Sequence, residues 1–427
     1  MTEIKKIIEK NIDSVLSLAR ELKSHPELGF EEFESSAIVR KYWESIGLKV
    51  EGPFAFTGLK TYVKGEAERA ENGPSVGLIC ELDAVISPDN PTANEKGAAH
   101  ACGHYLQTCQ VFAAAQALIE FKKELCGKAV LIAVPAEEFL DIGKRLKLKK
   151  EGKLSCLSGK PELLKLGVLD DIDMAVMIHA HPCTPDYRLF LEGGNLGFTA
   201  KNISFKGKAA HGAMPFEGCN ALQAATLFIS GINANRETFR DEESIRIHPI
   251  ITKGGSVVNT IPDDVRIETY VRGASPEAIK KGCKIVDRCA EAAAAMIGCT
   301  ASIETIPGYL PLRQDKNLSD FLKSAAEKVI GTQMISYGVA SVGSTDMGDI
   351  CSLIPAIQPT MGGFIGELHS SEFKAVDEKK TCLLGGTLLA ELTVNLLKNN
   401  AENAHKVIDG YKPFMTREQY FKYLDKN

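Results

Sequence analysis

Apolar residues at Ile4, Ile7, Ile8, Ile12, Val15, Leu16, Ala19 and Leu22 recur every three or four positions, which predicts one amphipathic helix at the start of the chain. Ser24-His25-Pro26 ends it, because the residue before a proline avoids the helical region. A second helix is predicted from about Glu32 to Ile46, stopping at Gly47. A different pattern follows. Ser75 to Val85, Lys128 to Glu138 and Met174 to His181 are nearly continuous apolar runs, as strands covered on both faces of a parallel-type sheet require. Each run finishes in ionisable residues: Asp83, then Glu137 and Glu138, then His179 and His181. Buried strands gain nothing from such ends, and strand ends are where open α/β sheets place their chemistry. Leu106 to Lys122 returns to a helical pattern.

The pattern changes after Gly193-Gly194. Phe198 to Lys206 alternates as a strand, Ala221 to Ile232 is helical, and Ser244 to Ile251 and Val265 to Val271 read as strands on either side of Gly254-Gly255. Ser275-Pro276-Glu277 supplies a cap, a first-turn proline and an early carboxylate for a helix to about Ile297, and Thr300 to Thr305 is a further strand. This strand, helix, strand, strand, helix, strand order is ferredoxin-like. It predicts an inserted α+β domain over residues 190–305, flanked by an α/β domain made of 1–189 and 306–427. Further helices are expected at Leu318 to Ile330, at Cys382 to Leu397 and after Thr416, whose spacing from Gln419 fits a capping box. Phe139 to Lys165, with Lys144, Lys147, Lys149, Lys150 and Lys153, reads as an insertion or flexible loop with a solvated basic face.

Length and composition agree with this picture: 427 residues exceed one ordinary core, and 44% apolar with 25% charged residues is a soluble globular composition. A net charge of −5 argues against nucleic acid as the main ligand. With no run of eighteen apolar residues and no signal-peptide core in MTEIKKIIEK, no membrane association is expected and the location is read as cytoplasmic. The twelve cysteines are scattered, so mostly free thiols are expected.

Candidate chemistry centres on His100-Ala101-Cys102-Gly103-His104-Tyr105. Thiolate, imidazole and carboxylate are zinc-binding groups, and Cys102, His104, the glutamate pair, His179 or His181, and His369 offer them near strand ends. The absence of a C-x-x-C pair disfavours a closed structural zinc site. An open site beside acid/base residues suits hydrolysis by metal-activated water. A thiol enzyme using Cys102 with His104 is the rival chemistry, one that has no use for the distant carboxylate pair.

These motifs, together with Pro135-Ala136-Glu137-Glu138, Asp173 to His179, Ala210-His211-Gly212-Ala213-Met214-Pro215, Gly254-Gly255 to Asn259, and His369-Ser370, resemble the M20 metallopeptidases. Within that family they look most like the amidohydrolase branch of aminoacylase-like, hippurate, indoleacetyl-amino-acid and aminobenzoyl-glutamate hydrolases. The resemblance runs from His25-Pro26-Glu27-Leu28 to His369. It implies a zinc-peptidase-like α/β catalytic domain with a mixed, largely parallel sheet, and an inserted lid that also mediates homodimerisation. It further implies two divalent metal ions, Zn2+ favoured and Mn2+ open, held by Cys102, His104, Glu138, His179 and His369. Glu137 would be the general base and acid, and Asp83 would orient a ligand by hydrogen bonding. His211, Asn259 and Arg272 would meet the substrate or its oxyanion, with His211 often supplied by the neighbouring subunit. Arg272 reads equally as a strand arginine in a salt bridge, and His25, His100 and His181 read as structural; the family spacing from Asp173 favours His179 over His181 as a ligand. The substrate implied is a small-molecule amide, an N-acyl amino acid or dipeptide-like compound; the alternative is a non-catalytic family member with a binding or regulatory role. The sequence departs from the family pattern twice. Tyr105 stands where relatives usually carry Asp or Asn, a bulkier group with a bearing on the pocket and the second metal position, and Phe139-Leu140-Asp141 with the basic segment replaces a glycine-rich turn.

Overall fold

In the computed structural model, which describes residues 2–338 and 341–426, the helix that the apolar periodicity predicts is interrupted at Asn11. Two helices form in place of one, Glu3–Lys10 (α1) and Ile12–Lys23 (α2). The Asn11 side chain donates to the Ile7 carbonyl at 3.0 Å, a local bond that competes with the helical ladder. Phe33–Ser45 (α3) follows.

The chain divides into two compact units, one made of Met1–Gly194, Arg313–Val339 and Asp349–Met415, the other of Asn195–Leu312, Ala340–Gly348 and Thr416–Asn427. The first is built on a mixed sheet of Glu51–Phe54 (β1), Gly58–Lys64 (β2), Ser75–Glu81 (β3), Lys128–Val134 (β4), Met174–Val176 (β5) and the short strand Ala356–Ile357. Their spatial order is β1-β2-β4-β3-β5, then Ala356–Ile357. β3 runs parallel to both β4 and β5, whereas β1 with β2 and β2 with β4 are antiparallel. The continuous apolar runs have the physical cause expected of them, since every residue of β3 is buried. Register matters for the site: Ser75 pairs with Lys128 and Glu81 with Val134, so residues 81–83 and 137–138 leave the sheet at the same end. His104–Glu120 (α4) packs against α2 and against Glu378–Leu397.

The basic segment is ordered into two helices, Ile142–Lys150 (α5) and Gly159–Lys165 (α6), which corrects its reading as a flexible loop. Asp141 caps α5 by accepting the Lys144 amide, and Phe30, Ala136 and Leu154 form a small core against which Leu148 and Phe56 pack. Lys144, Lys147, Lys149, Lys150 and Lys153 are exposed, as a solvated face demands. Arg145 and Lys160, on the same segment, are buried.

The second unit contains Gly197–Lys206 (β6), Ala221–Asn235 (α7), Arg246–Lys253 (β7), Asp264–Gly273 (β8), Pro276–Ile297 (α8) and Thr300–Pro307 (β9). Its sheet is antiparallel in the order β7-β8-β6-β9, the ferredoxin-like arrangement that the order of elements implies. Ser275 accepts the Ala278 amide at 3.1 Å and Pro276 takes the first position of α8. Phe205, Phe228, Ile232 and Val286 fill the core between sheet and helices. Lys201, buried on β6, meets Asp287 of α8 at 2.6 Å.

Candidate metal centre

Cys102 and His104 flank Gly103, whose φ of +85° lies in the left-handed region that glycine adopts without strain. That turn starts α4 at His104. A Cβ on Gly103 would approach the Ala180 side chain to 3.1 Å, so the turn also fits closely against the short strand His179–Ala180. One donor atom from each of Cys102, His104 and His179 lies within 4.8 Å of the others, and the same holds for Cys102, Glu138 and His369 and for His104, Glu137 and Glu138. Cys102 therefore belongs to two of these groups.

The ring orientations leave lone pairs facing inward. His104 Nδ1 lies 2.9 Å from the Asp83 carbonyl, which can only accept, so the proton sits on Nδ1 and the lone pair on Nε2. His179 Nδ1 faces the Ala180 carbonyl at 2.9 Å, and His179 Nε2 is 3.5 Å from Cys102 Sγ. His369 Nε2 stands 3.0 Å from Glu138 Oε1. Zinc–ligand bonds of about 2.0–2.3 Å at tetrahedral angles put neighbouring donors about 3.3–3.8 Å apart; the Cys102–His179 separation falls in that range and the His369–Glu138 contact is shorter. His104 Nε2 and Glu81 Oε2 are both fully buried, 3.2 Å apart and otherwise without a hydrogen-bond partner, and a proton or a cation between them would satisfy both. The donors thus fit the metal that their chemistry implies.

Burial pushes the Cys102 thiol well above its usual range. Burial opposes charge on His104 too, but Cys102, Glu81 and Asp83 together raise its pKa well above the ordinary histidine value. His369 is raised by its hydrogen bond to Glu138, and His179 is lowered by burial. His369 adopts φ +64°, a conformation fixed by its amide on the Ala101 carbonyl at 2.8 Å and by Ser87 Oγ on its own carbonyl at 3.1 Å.

Asp83 links two of these residues: its carboxylate is 3.2 Å from His104 Nδ1 and accepts the Glu138 amide at 2.9 Å. Glu137 is 8% exposed. Three neighbours were not singled out in the sequence. Glu81 is buried with one oxygen on Lys160 at 2.5 Å and the other 3.2 Å from His104 Nε2. A charge inside an all-apolar strand, two residues from Asp83, is the signal that could have found it. Glu32 accepts the Ala136 amide, and Arg145 donates to the Glu138 carbonyl, each at 2.7 Å. Tyr105 faces away from the donors: its hydroxyl donates to Glu378 at 2.8 Å.

His181 stacks on Phe190 with its Nδ1 2.8 Å from Thr360 Oγ1, while His25 and His100 meet backbone carbonyls of α2. In the second unit, His211 and Asn259 come together: the Gly212 amide donates to the Asn259 carbonyl at 2.7 Å, and both side chains are exposed. Arg272 lies apart from them, its guanidinium 5.5 Å from the Phe198 ring, 5.6 Å from the Tyr270 ring and hydrogen-bonded to Ser344. Among the described residues it has no carboxylate partner, which removes the salt-bridge reading.

A mixed α/β sheet whose strand ends gather thiol, imidazole and carboxylate donors around a buried glutamate defines a metal-dependent hydrolase of carbon–nitrogen amide bonds. The family model for "Peptidase family M20/M25/M40" matches residues 77–392, and the chain belongs to that family. It is 28% identical over 396 residues to N-acetylcysteine deacetylase of Bacillus subtilis, covering 90% of this chain and 97% of that protein. It is 27% identical over 358 residues to the Arabidopsis thaliana IAA-amino acid hydrolase ILR1-like 4, covering 80% and 76% respectively. Among solved structures it is similar to Bacillus subtilis YXEP, described as a dinuclear metal-binding peptidase of the M20 family, with a TM-score of 0.72, 25% identity and coverage of 91% and 99%.

Proposed function

We propose that this amidohydrolase cleaves an N-acyl amino acid or small dipeptide-like amide, with Glu137 as general base and acid and two divalent ions, zinc favoured and manganese open, held by Cys102, His104, Glu138, His179 and His369. The observation that carries the reading is the grouping of these donors, two sets sharing Cys102, around buried Glu137. Ions bound there would polarise the amide carbonyl and acidify a water molecule. Glu137 takes a proton from the attacking water and returns it to the leaving amine nitrogen, so one carboxylate serves both halves of the reaction. Asp83 keeps the proton of His104 on Nδ1 and would so leave Nε2 free to hold an ion.

Arg272 supports an acidic substrate. A half-buried guanidinium between two aromatic rings, with a hydroxyl as its polar partner, is a natural receptor for the carboxylate of an amino-acid product. His211 and Asn259 we assign to the carbonyl oxygen, where an imidazole stabilises developing charge. The second unit serves as lid and as the homodimer contact, an assignment that the exposed Ile250 and Ile251 on edge strand β7 support. A monomer mass by light scattering would remove the dimer from the reading. Twelve unpaired thiols fit a reducing, cytoplasmic setting.

The test is to incubate metal-loaded protein with a mixed library of N-acyl amino acids and dipeptides and identify released amines by mass spectrometry, with a chelator-treated control. Release of one product class that the chelator abolishes is expected. No release from protein shown to hold its metal would overturn the assignment.

A further inference from the structure

The basic segment starts after Glu138 and returns to the same turn at Gly159, the first residue of α6. Lys144, Lys147, Lys149, Lys150 and Lys153 face solvent, yet Arg145, one residue from Lys144, is 3% exposed. Arg145 Nη2 donates to the Glu138 carbonyl and Nη1 to the Leu157 carbonyl, both at 2.7 Å, and the guanidinium lies 5.1 Å from the Phe30 ring. The Leu140 amide donates to the same Glu138 oxygen at 2.8 Å, so both its lone pairs are used.

The rest of this turn is fixed as firmly. The Ala136 amide donates to Glu32, the Ala136 carbonyl accepts from Gly159 at 3.1 Å, and the Glu138 amide donates to Asp83. Ala136 itself has φ +50°, a conformation that persists only where its surroundings impose it. Gly29 makes room for the arrangement. A Cβ there would fall 2.5 Å from Arg145 Nη2 and 2.8 Å from Ala136 Cα.

We propose that Arg145 is a positioning residue for the reaction: it anchors the Glu138 peptide, and through it sets the direction of both Glu138 and Glu137, and the basic segment is the scaffold that delivers it. The proposal rests on the roles assigned above to Glu137 and Glu138. A buried guanidinium with two convergent donors suits this task, because its planar fork is pre-organised where an ammonium is not. Misdirecting a reacting group by about 1 Å costs roughly 100-fold in rate, and loss of a group that orients a metal ligand costs about 10–100-fold in metal affinity.

The experiment compares wild type with Arg145→Met and Arg145→Ala. Zinc and manganese dissociation constants come from competition with a chromophoric chelator, and kcat and KM from the amide substrate found in the library. Expected for both variants are weaker binding of at least one ion by about 10–100-fold and a kcat lowered about 100-fold, with KM changed much less. Guanidinium ion added to Arg145→Ala should restore part of the metal affinity, a rescue that a merely structural role would not give. Gly29→Ala, which crowds Arg145 without removing it, should show the same pattern and serves if the arginine variants do not fold. Wild-type metal affinity and kcat in the variants, or a lowered melting temperature as the sole change, would overturn the proposal. If wild type itself held no metal and cleaved nothing, the fault would lie with the functional assignment instead.

Discussion

Asp83 accepts the peptide N–H of Glu138 at 2.9 Å, so the carboxylate ending one buried strand holds the backbone that follows its parallel neighbour. The same carboxylate faces His104 Nδ1 at 3.2 Å. Asp83→Asn should fold yet present an amide where an acceptor is needed, weakening metal affinity by about 10–100-fold. Chelator competition on the purified variant measures it, and an unchanged affinity would take Asp83 out of the site.

Glu137→Gln tests the base directly. It should lower kcat by about 10²- to 10⁴-fold while both ions stay bound, as read by elemental analysis after gel filtration. Near-normal turnover would mean that another group moves the proton.

Because Cys102 belongs to two donor groups and His369 to one of them, their variants should differ. Cys102→Ser should deplete metal at both positions, whereas His369→Ala should leave one ion bound. Equal retention in the two variants would contradict a shared thiolate.

Tyr105→Phe removes a buried phenol's hydrogen bond to Glu378, which also pairs with Lys23 at 2.7 Å. The expected cost is about 1–3 kcal/mol of unfolding free energy, with metal content unchanged because the hydroxyl points toward Glu378–Leu397 and not toward the donors. Altered metal stoichiometry would restore the residue to the pocket.

Glu32 gives a pH signature. Burial first, and then the Asp83 charge, raise its pKa from 4.5 to about 8. The folded protein therefore binds this proton more tightly than the unfolded chain. The stability it adds is fully present below the unfolded value and is lost as pH rises through the folded one. Glu32→Gln, which keeps an acceptor for the Ala136 amide, should flatten that dependence and become the more stable form relative to wild type between pH 5 and pH 8. Denaturant midpoints across that range would reveal parallel curves if the group were ordinary.

The sequence carries the positions of β3 and β4 plainly, because they are apolar runs with ionisable ends, and α8 is announced by Ser275-Pro276; the third run, Met174 to His181, divides into β5 and a short strand His179–Ala180 in another sheet. Two strands in parallel register are enough to bring residues 81–83 and 137–138 together, whereas the full donor set is legible only through the resemblance of the motifs around Cys102, Glu138, His179 and His369 to the M20 family. What was hidden depends on contacts remote in sequence. Arg145 looks like one more charge in a basic run until Phe30, Gly29 and Leu157 enclose it. Glu32 stands among Glu31 and Glu34, and only Thr57 and Ala136 distinguish it. At Asn11 the periodicity continues unbroken, and a single side-chain bond divides the helix.

Lys160 and Lys201 have their amines sealed beside carboxylates, Lys160 in the first compact unit and Lys201 in the second. An amine-modifying reagent reaches a sealed lysine only when the surrounding structure opens. Each unit thus carries a built-in chemical clock. Following acylation of each by mass spectrometry would time the opening of each unit separately, with the exposed lysines of α5 as the zero of the scale.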